Sequence, residues 1–177
     1  MIILNKIQKV PMGEPSCHLY MDWEGNIKSS DKEGFEPDIR KLMSEVISEI
    51  ANNGQNVTIA RAYANKNFFE KLNSAGASFR SELLESGVEP VVAYAGKWNK
   101  NYADTFMATD IIDNSYADSN VGHVIIIADD GAFEHVVRKL RSRNIHVTVI
   151  GTAKCGYRFR ESANTYIGLS QYKKALT

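Results

Sequence analysis

Asp129 and Asp130 stand side by side where the apolar run HVIIIA ends and the amphipathic stretch AFEHVVRKLRSRN follows. A strand end beside a core is a costly place for adjacent like charges, because each carboxylate opposes ionisation of the other and burial penalises both. Such a pair calls for a neutralising partner. Asp22 stands at the end of the earlier run CHLYMDW, and Asp104 and Asp110 fall in NYADTFMATDIIDNSYA. A helix turns about 600° between positions 104 and 110 and leaves them roughly 120° apart. They cannot point identically into one site, and Asp104, in the first turn, is the better placed. Carboxylates gathered in one crevice repel unless a hard divalent cation lies among them, and all-oxygen ligation suits Mg²⁺ or Mn²⁺.

The elements that must position these residues follow an α/β rhythm. CHLYMDW, NVTIARAYA, EPVVAYAG, HVIIIA and HVTVIG read as five strands. Between them, PDIRKLMSEVISEIANNG reads as a helix with Pro37 near its start, Gly54 past its end, and Ile39, Leu42, Met43, Val46, Ile47 and Ile50 on one face. FFEKLNSAGASFRSELLESG reads as a helical segment broken around Gly76, since glycine weakens a helix interior. NYADTFMATDIIDNSYA and AFEHVVRKLRSRN supply two more helices, and ESANTYIGL a short terminal element. Strands alternating with helices imply a three-layer, doubly wound, mostly parallel five-stranded sheet. In the common order 3-2-1-4-5, strands one and four meet at the topological switch point, where ligands bind beyond the carboxyl ends. Asp22, Asp129 and Asp130 are expected there.

Composition bounds the rest. A chain of 177 residues with 44 % hydrophobic content fits a single domain over 1–177, with residues 1–16 as an N-terminal extension. Its 21 basic and 21 acidic residues cancel, so contact with nucleic acid must come from local clusters. Cys17 and Cys155 lack metal-ligand spacing and cannot make a disulfide framework, and MIILNKIQKVPMGEP has too short an apolar run for a signal peptide. A reducing cytoplasm is the expected compartment. No apolar run approaches transmembrane length.

YMDWEGNI, KWNKNYADTFMATDII and HVIIIADDGAFEHVVRKLRSRNIHVTVIG, in this order and spacing, resemble the NYN domains, the LabA-like or DUF88 branch of the PIN-like ribonucleases. The resemblance runs from about residue 17 to 170. It rests on Asp22 with Glu24 and Asn26, on Asp104 with Asp110, and on Asp130 with Phe133. It implies metal-dependent hydrolysis of RNA phosphodiester bonds, single-stranded or loop regions being the substrate. Asp22, Asp104 and Asp130 would be catalytic and, with Asp129, metal ligands. Asn26, Lys97 and Lys100 would meet substrate, and pairing into a homodimer is a further implication. One position departs from the pattern. With the register fixed by Phe133, the second turn aspartate becomes Ala132 and the usual serine Ala128. Asp129 or Glu134 would have to compensate, and a weakened RNA-binding or protein-interaction domain is the alternative.

Blander roles compete at several positions. Asp22 and Asp130 suit a helix cap or turn, Asp104 a favourable first-turn charge, and Asp110 a solvated helix surface. Trp23 and Trp98 serve equally as packing residues or as platforms for unpaired bases. Arg61, Arg138, Arg141, Arg143, Arg158 and Arg160 are candidates for phosphate contact, although RKLRSRN also reads as a solvated cationic helix end. The four histidines show no paired ligand spacing. GTAKCGYR has P-loop glycine spacing, but Tyr157 and Arg158 replace the required Lys and Ser or Thr.

Overall fold

The computed structural model describes residues 14–94 and 102–175. Seven helices and six strands alternate among them: β1 (Ser16–Asp22), α1 (Trp23–Lys32), α2 (Ile39–Asn52), β2 (Asn56–Asn65), α3 (Lys66–Phe69), α4 (Phe79–Glu85), β3 (Glu89–Ala93), α5 (Ala103–Ala117), β4 (Val121–Ile127), α6 (Glu134–Arg141), β5 (His146–Gly151), α7 (Tyr157–Ser162) and β6 (Thr165–Gly168). All strand pairs are parallel, in the order β3-β2-β1-β4-β5-β6. The expected order 3-2-1-4-5 is therefore present, extended by one strand. β6 comes from the stretch expected only as a short terminal element, and its backbone pairs with β5 from Thr148 to Gly151.

Alternate residues of each strand enter opposite cores, as the pleat requires. Leu19, Met21, Ile125, Ile127 and Ile150 face α1 to α4, whereas Tyr20, Val124, Ile126, Val147 and Val149 face α5 to α7. Fully burying each aliphatic side chain among them contributes about 1.5–3 kcal/mol, so both layers are fixed to the sheet. The helical segment after β2 is broken as expected, with Gly76 at φ +80° between α3 and α4. Asp38 caps α2 by accepting from the Lys41 amide, and Leu42, Met43, Val46 and Ile50 seat it on the sheet. Ile47, expected on that apolar face, is 47 % exposed. Cys17 and Cys155 are free and buried. No helix among the described residues is long and apolar enough to cross a membrane.

Candidate active site

β1 and β4 pair up to Met21 opposite Ile127, where β4 ends. Asp22 follows directly and caps α1, its Oδ1 accepting from the Gly25 amide at 3.0 Å. A Cβ at position 25 would lie 2.0 Å from Asp22 Oδ2, so glycine is what lets the helix start this close to the carboxylate. Asp22 is 8 % exposed. Burial pushes its carboxyl up to about 7, the charge of Asp104 adds to this, and Glu24 and Asp129 add less, against the Gly25 hydrogen bond. Asp104, half-buried in the first turn of α5, is raised by burial and then by Asp130 and Glu24. These carboxylates from β1, α1, α5 and the β4 turn thus form one mutually repelling group at the switch point.

The two turn aspartates are held differently. Asp129 Oδ1 accepts from the Thr152 amide at 2.7 Å and its Oδ2 from the Thr152 hydroxyl at 2.8 Å, which ties the β4 turn to the end of β5. Asp130 is exposed and accepts only locally, from the Ala132 amide at 2.8 Å, as it starts the 3-10 turn Gly131–Phe133. A pocket of about 270 Å³ lies between that turn and α5, lined by Asp104, Thr105, Ala108, Thr109, Ala132 and Phe133. Ala132 therefore lines the same pocket as Asp104, from the opposite element, and brings no carboxylate to it. Among the described residues, no group of three or more His, Cys, Asp or Glu side chains is already gathered to hold a metal ion.

Glu24 is the member that sequence reasoning left out of the site. It is 5 % exposed, bonds Lys28 at 2.5 Å, and accepts from the Asn65 amide and side chain at 3.1 and 2.7 Å. The signal was its position two residues after Asp22. Asn26, expected to contact substrate, has no exposed surface. In the amide orientation that satisfies its surroundings, its nitrogen donates to the carbonyls of Asp22 and Ile127 at 2.6 and 2.8 Å. It clamps the ends of β1 and β4 together and so sets the floor of the crevice. Trp23 is likewise fully buried in the core and offers no stacking surface. Lys97, Lys100 and Trp98 lie outside the described residues.

Asp110 is engaged in a network rather than free in solvent. It accepts from the Tyr63 hydroxyl at 2.6 Å and pairs with Arg61 at 3.4 Å, while Arg61 also meets Glu89 at 2.7 Å. Other arginines are committed too: Arg141 to the Ser162 carbonyl, and Arg143 to Ser115 and the Tyr116 ring. Arg158 remains 82 % exposed.

No curated protein matches the chain. Among solved structures it is similar to the crystal structure of a protein of unknown function from Vibrio parahaemolyticus RIMD 2210633, at 17 % identity and a TM-score of 0.73, over 92 % of this chain and 98 % of that one. That likeness bears on the fold. The model of the NYN domain matches residues 18–170, a span running from β1 past β6 and holding every carboxylate of the crevice, and on that match the chain belongs to the NYN domain family, within the PIN-like nuclease superfamily.

Proposed function

We propose that this NYN domain hydrolyses RNA phosphodiester bonds with Mg²⁺ or Mn²⁺ held by Asp22, Asp104 and Asp130, and Asp129 at the margin of the set. The observation that carries the reading is the convergence of carboxylates from three distant stretches of chain at the mouth between β1 and β4, with Asp22 raised by burial and the charge of Asp104, and Asp104 raised by burial and the charges of Asp130 and Glu24. The donor set fits such an ion. All its donors are oxygens, and Mg²⁺ needs only one or two protein carboxylates beside waters and substrate phosphate. When bound, the ion would activate a water, polarise the phosphoryl oxygens and stabilise the leaving oxygen.

The chain's own residues do the rest. Asn26 fixes the backbone of Asp22, and Gly25 fixes its Oδ1. Thr152 holds both oxygens of Asp129, leaving the exposed Asp130 at the rim where a phosphate would arrive. Lys97 and Lys100 would meet that backbone as point charges. The substrate is RNA in single-stranded or loop regions, the compartment the cytoplasm, and a second copy of the chain a further partner.

A second reading has its own support. Ala132 lines the same pocket as Asp104 where the family pattern has an acid, which favours a weakened domain that binds RNA without cutting it. Incubation of a mixed RNA pool separates the two. Cleavage with Mn²⁺ that stops on chelation, and is lost in Asp130→Asn with an unchanged melting profile, is expected of the nuclease. Metal-independent binding without cleavage overturns it in favour of the second.

A further inference from the structure

The GTAKCGYR segment, which has P-loop glycine spacing without P-loop chemistry, forms the connection from β5 into α7 at the same end of the sheet as the acidic crevice. It is braced from several sides. Thr152 grips Asp129 with its amide and hydroxyl, and its Oγ1 also accepts from the Lys154 amide at 3.2 Å. The Tyr166 hydroxyl reaches the carbonyls of Gly151 and Thr152, both at 3.0 Å. Arg160 donates to the carbonyls of Cys155 and Ala153 at 2.7 and 2.6 Å and lies over the Tyr166 ring. Gly151 has no room for a Cβ, which would sit 2.9 Å from Asp129 Oδ1 and from Cys155 Cβ. Phe159 of α7 packs against Phe133, fixing the helix to the turn that Asp130 begins.

This braced connection and the first turn of α7 turn three side chains outward: Lys154, Tyr157 at 75 % exposure and Arg158 at 82 %. Arg158 and Arg138 share one carboxylate, Glu134, at 3.5 and 2.9 Å, so that triple keeps a net positive charge. A large ring displayed between cations, on a loop hydrogen-bonded to a carboxylate of the crevice, suits a polyanion whose bases are unpaired. Each base has a face to stack, and each phosphate a charge to meet. The bracing matters because a loop already held in place loses little freedom on binding.

We infer that the β5–α7 connection and the first turn of α7 form the RNA-binding arm of the crevice, with a base of single-stranded RNA stacked on Tyr157 and the flanking phosphates on Lys154 and Arg158. The inference rests on the RNA reading of the site, yet it does not need cleavage. Fluorescence anisotropy of a labelled single-stranded RNA decamer in chelator tests it on the whole chain. Tyr157→Ala is expected to weaken binding by about 5- to 150-fold, the loss of one stacked base, and Tyr157→Phe to restore it. Lys154→Ala and Arg158→Ala are each expected to reduce the slope of log affinity against log salt by about 0.7. Wild-type binding that Tyr157→Ala leaves unchanged overturns the arm, and so does a wild type that binds no RNA. Failure of the nuclease reading looks different: the wild type binds, Tyr157→Ala does not, and Mn²⁺ produces no cleavage.

Discussion

The two ends of the sheet carry opposite solutions to the same electrostatic problem. At the carboxyl ends, Asp22 is buried beside Asp104, with Glu24 and Asp129 adding to the repulsion. At the amino ends, His123 and His146 are cross-strand partners on β4 and β5, their ring centroids 4.8 Å apart, in a pocket of about 340 Å³ under α2. Burial pushes His123 down to about 4, and the charge of His146 pushes the same way. The imidazole escapes by shedding its proton. At neutral pH its Nε2 simply meets the Thr148 hydroxyl at 2.9 Å, as His146 meets Thr165 at 3.2 Å. A carboxylate has no such exit above its own titration, because losing the proton creates the charge. Above the titration of Asp22, the unrelieved repulsion therefore sits at the carboxyl ends, among Asp22, Asp104 and their neighbours.

The largest test of that contrast is Asp22→Asn. The folded carboxyl is raised above its value of 3.8 to about 7, so the native state holds the proton more tightly than the unfolded chain between those values. Metal-free stability from this group falls as pH rises through that window and stays low above it. Removing the charge should stabilise the metal-free protein at pH 8 by about 2–4 kcal/mol, since each tenfold gain in proton affinity on folding corresponds to roughly 1.4 kcal/mol. The same variant should lose about 10³-fold in Mn²⁺-dependent cleavage, and Mn²⁺ should raise the melting temperature of the wild type but not of Asp22→Asn. A variant that melts lower at pH 8 than the wild type would break the contrast.

His123 supplies the opposite slope. Its folded pKa is depressed from 6.5 to about 4, so its contribution is fully present above 6.5 and lost as pH falls through that interval. The expected loss is on the order of 2 kcal/mol, after allowance for partial exposure. Between pH 4 and 6.5 the histidine and Asp22 act against each other and flatten the wild-type profile. Chemical denaturation across that range should show His123→Gln falling in stability with rising pH, and Asp22→Asn climbing. Parallel profiles for the two variants would mean that neither group titrates as its surroundings require.

How much of this was readable in the residues alone differs between the two levels. The strands were legible because runs such as HVIIIA and HVTVIG are apolar on both faces, as a sheet covered on both sides demands. β6 was not: TYIG is too short to show a period, and its pairing with β5 is decided by the neighbouring strand. α1 was hidden by its composition, WEGNIKSSDK, which is polar along most of its length and contains Gly25. With it went the buried roles of Glu24 and Asn26, since only a helix starting at Trp23 turns these two polar side chains inward, whereas packing was already one of the two roles open to Trp23. That Asp22, Asp129 and Asp130 lie at neighbouring strand ends followed from strand order and needed no side-chain detail. What distinguishes Asp104 from Asp110 did need it. They occupy different flanks of α5, as the helical angle requires, but that Arg61 pairs with the second and Tyr63 donates a hydrogen bond to it is a fact about β2.

Ala132→Asp carries the smallest expected effect and sharpens the contrast most. The position is exposed at the rim and lines the same pocket as Asp104. A new carboxylate there adds repulsion at a solvated site, so metal-free stability at pH 8 should drop by only about 0.5–1 kcal/mol. If the acidic end is short of ligands, the added oxygen should lower the Mn²⁺ concentration for half-maximal cleavage by about tenfold, measured by titrating the metal at fixed RNA. The His123–His146 end should register nothing, its pH profile unchanged, because the length of β4 separates the two sites. An unchanged Mn²⁺ midpoint together with the small destabilisation would show that Ala132 faces the site without limiting it. The ligands from β1, α5 and Asp130 would then be the full set.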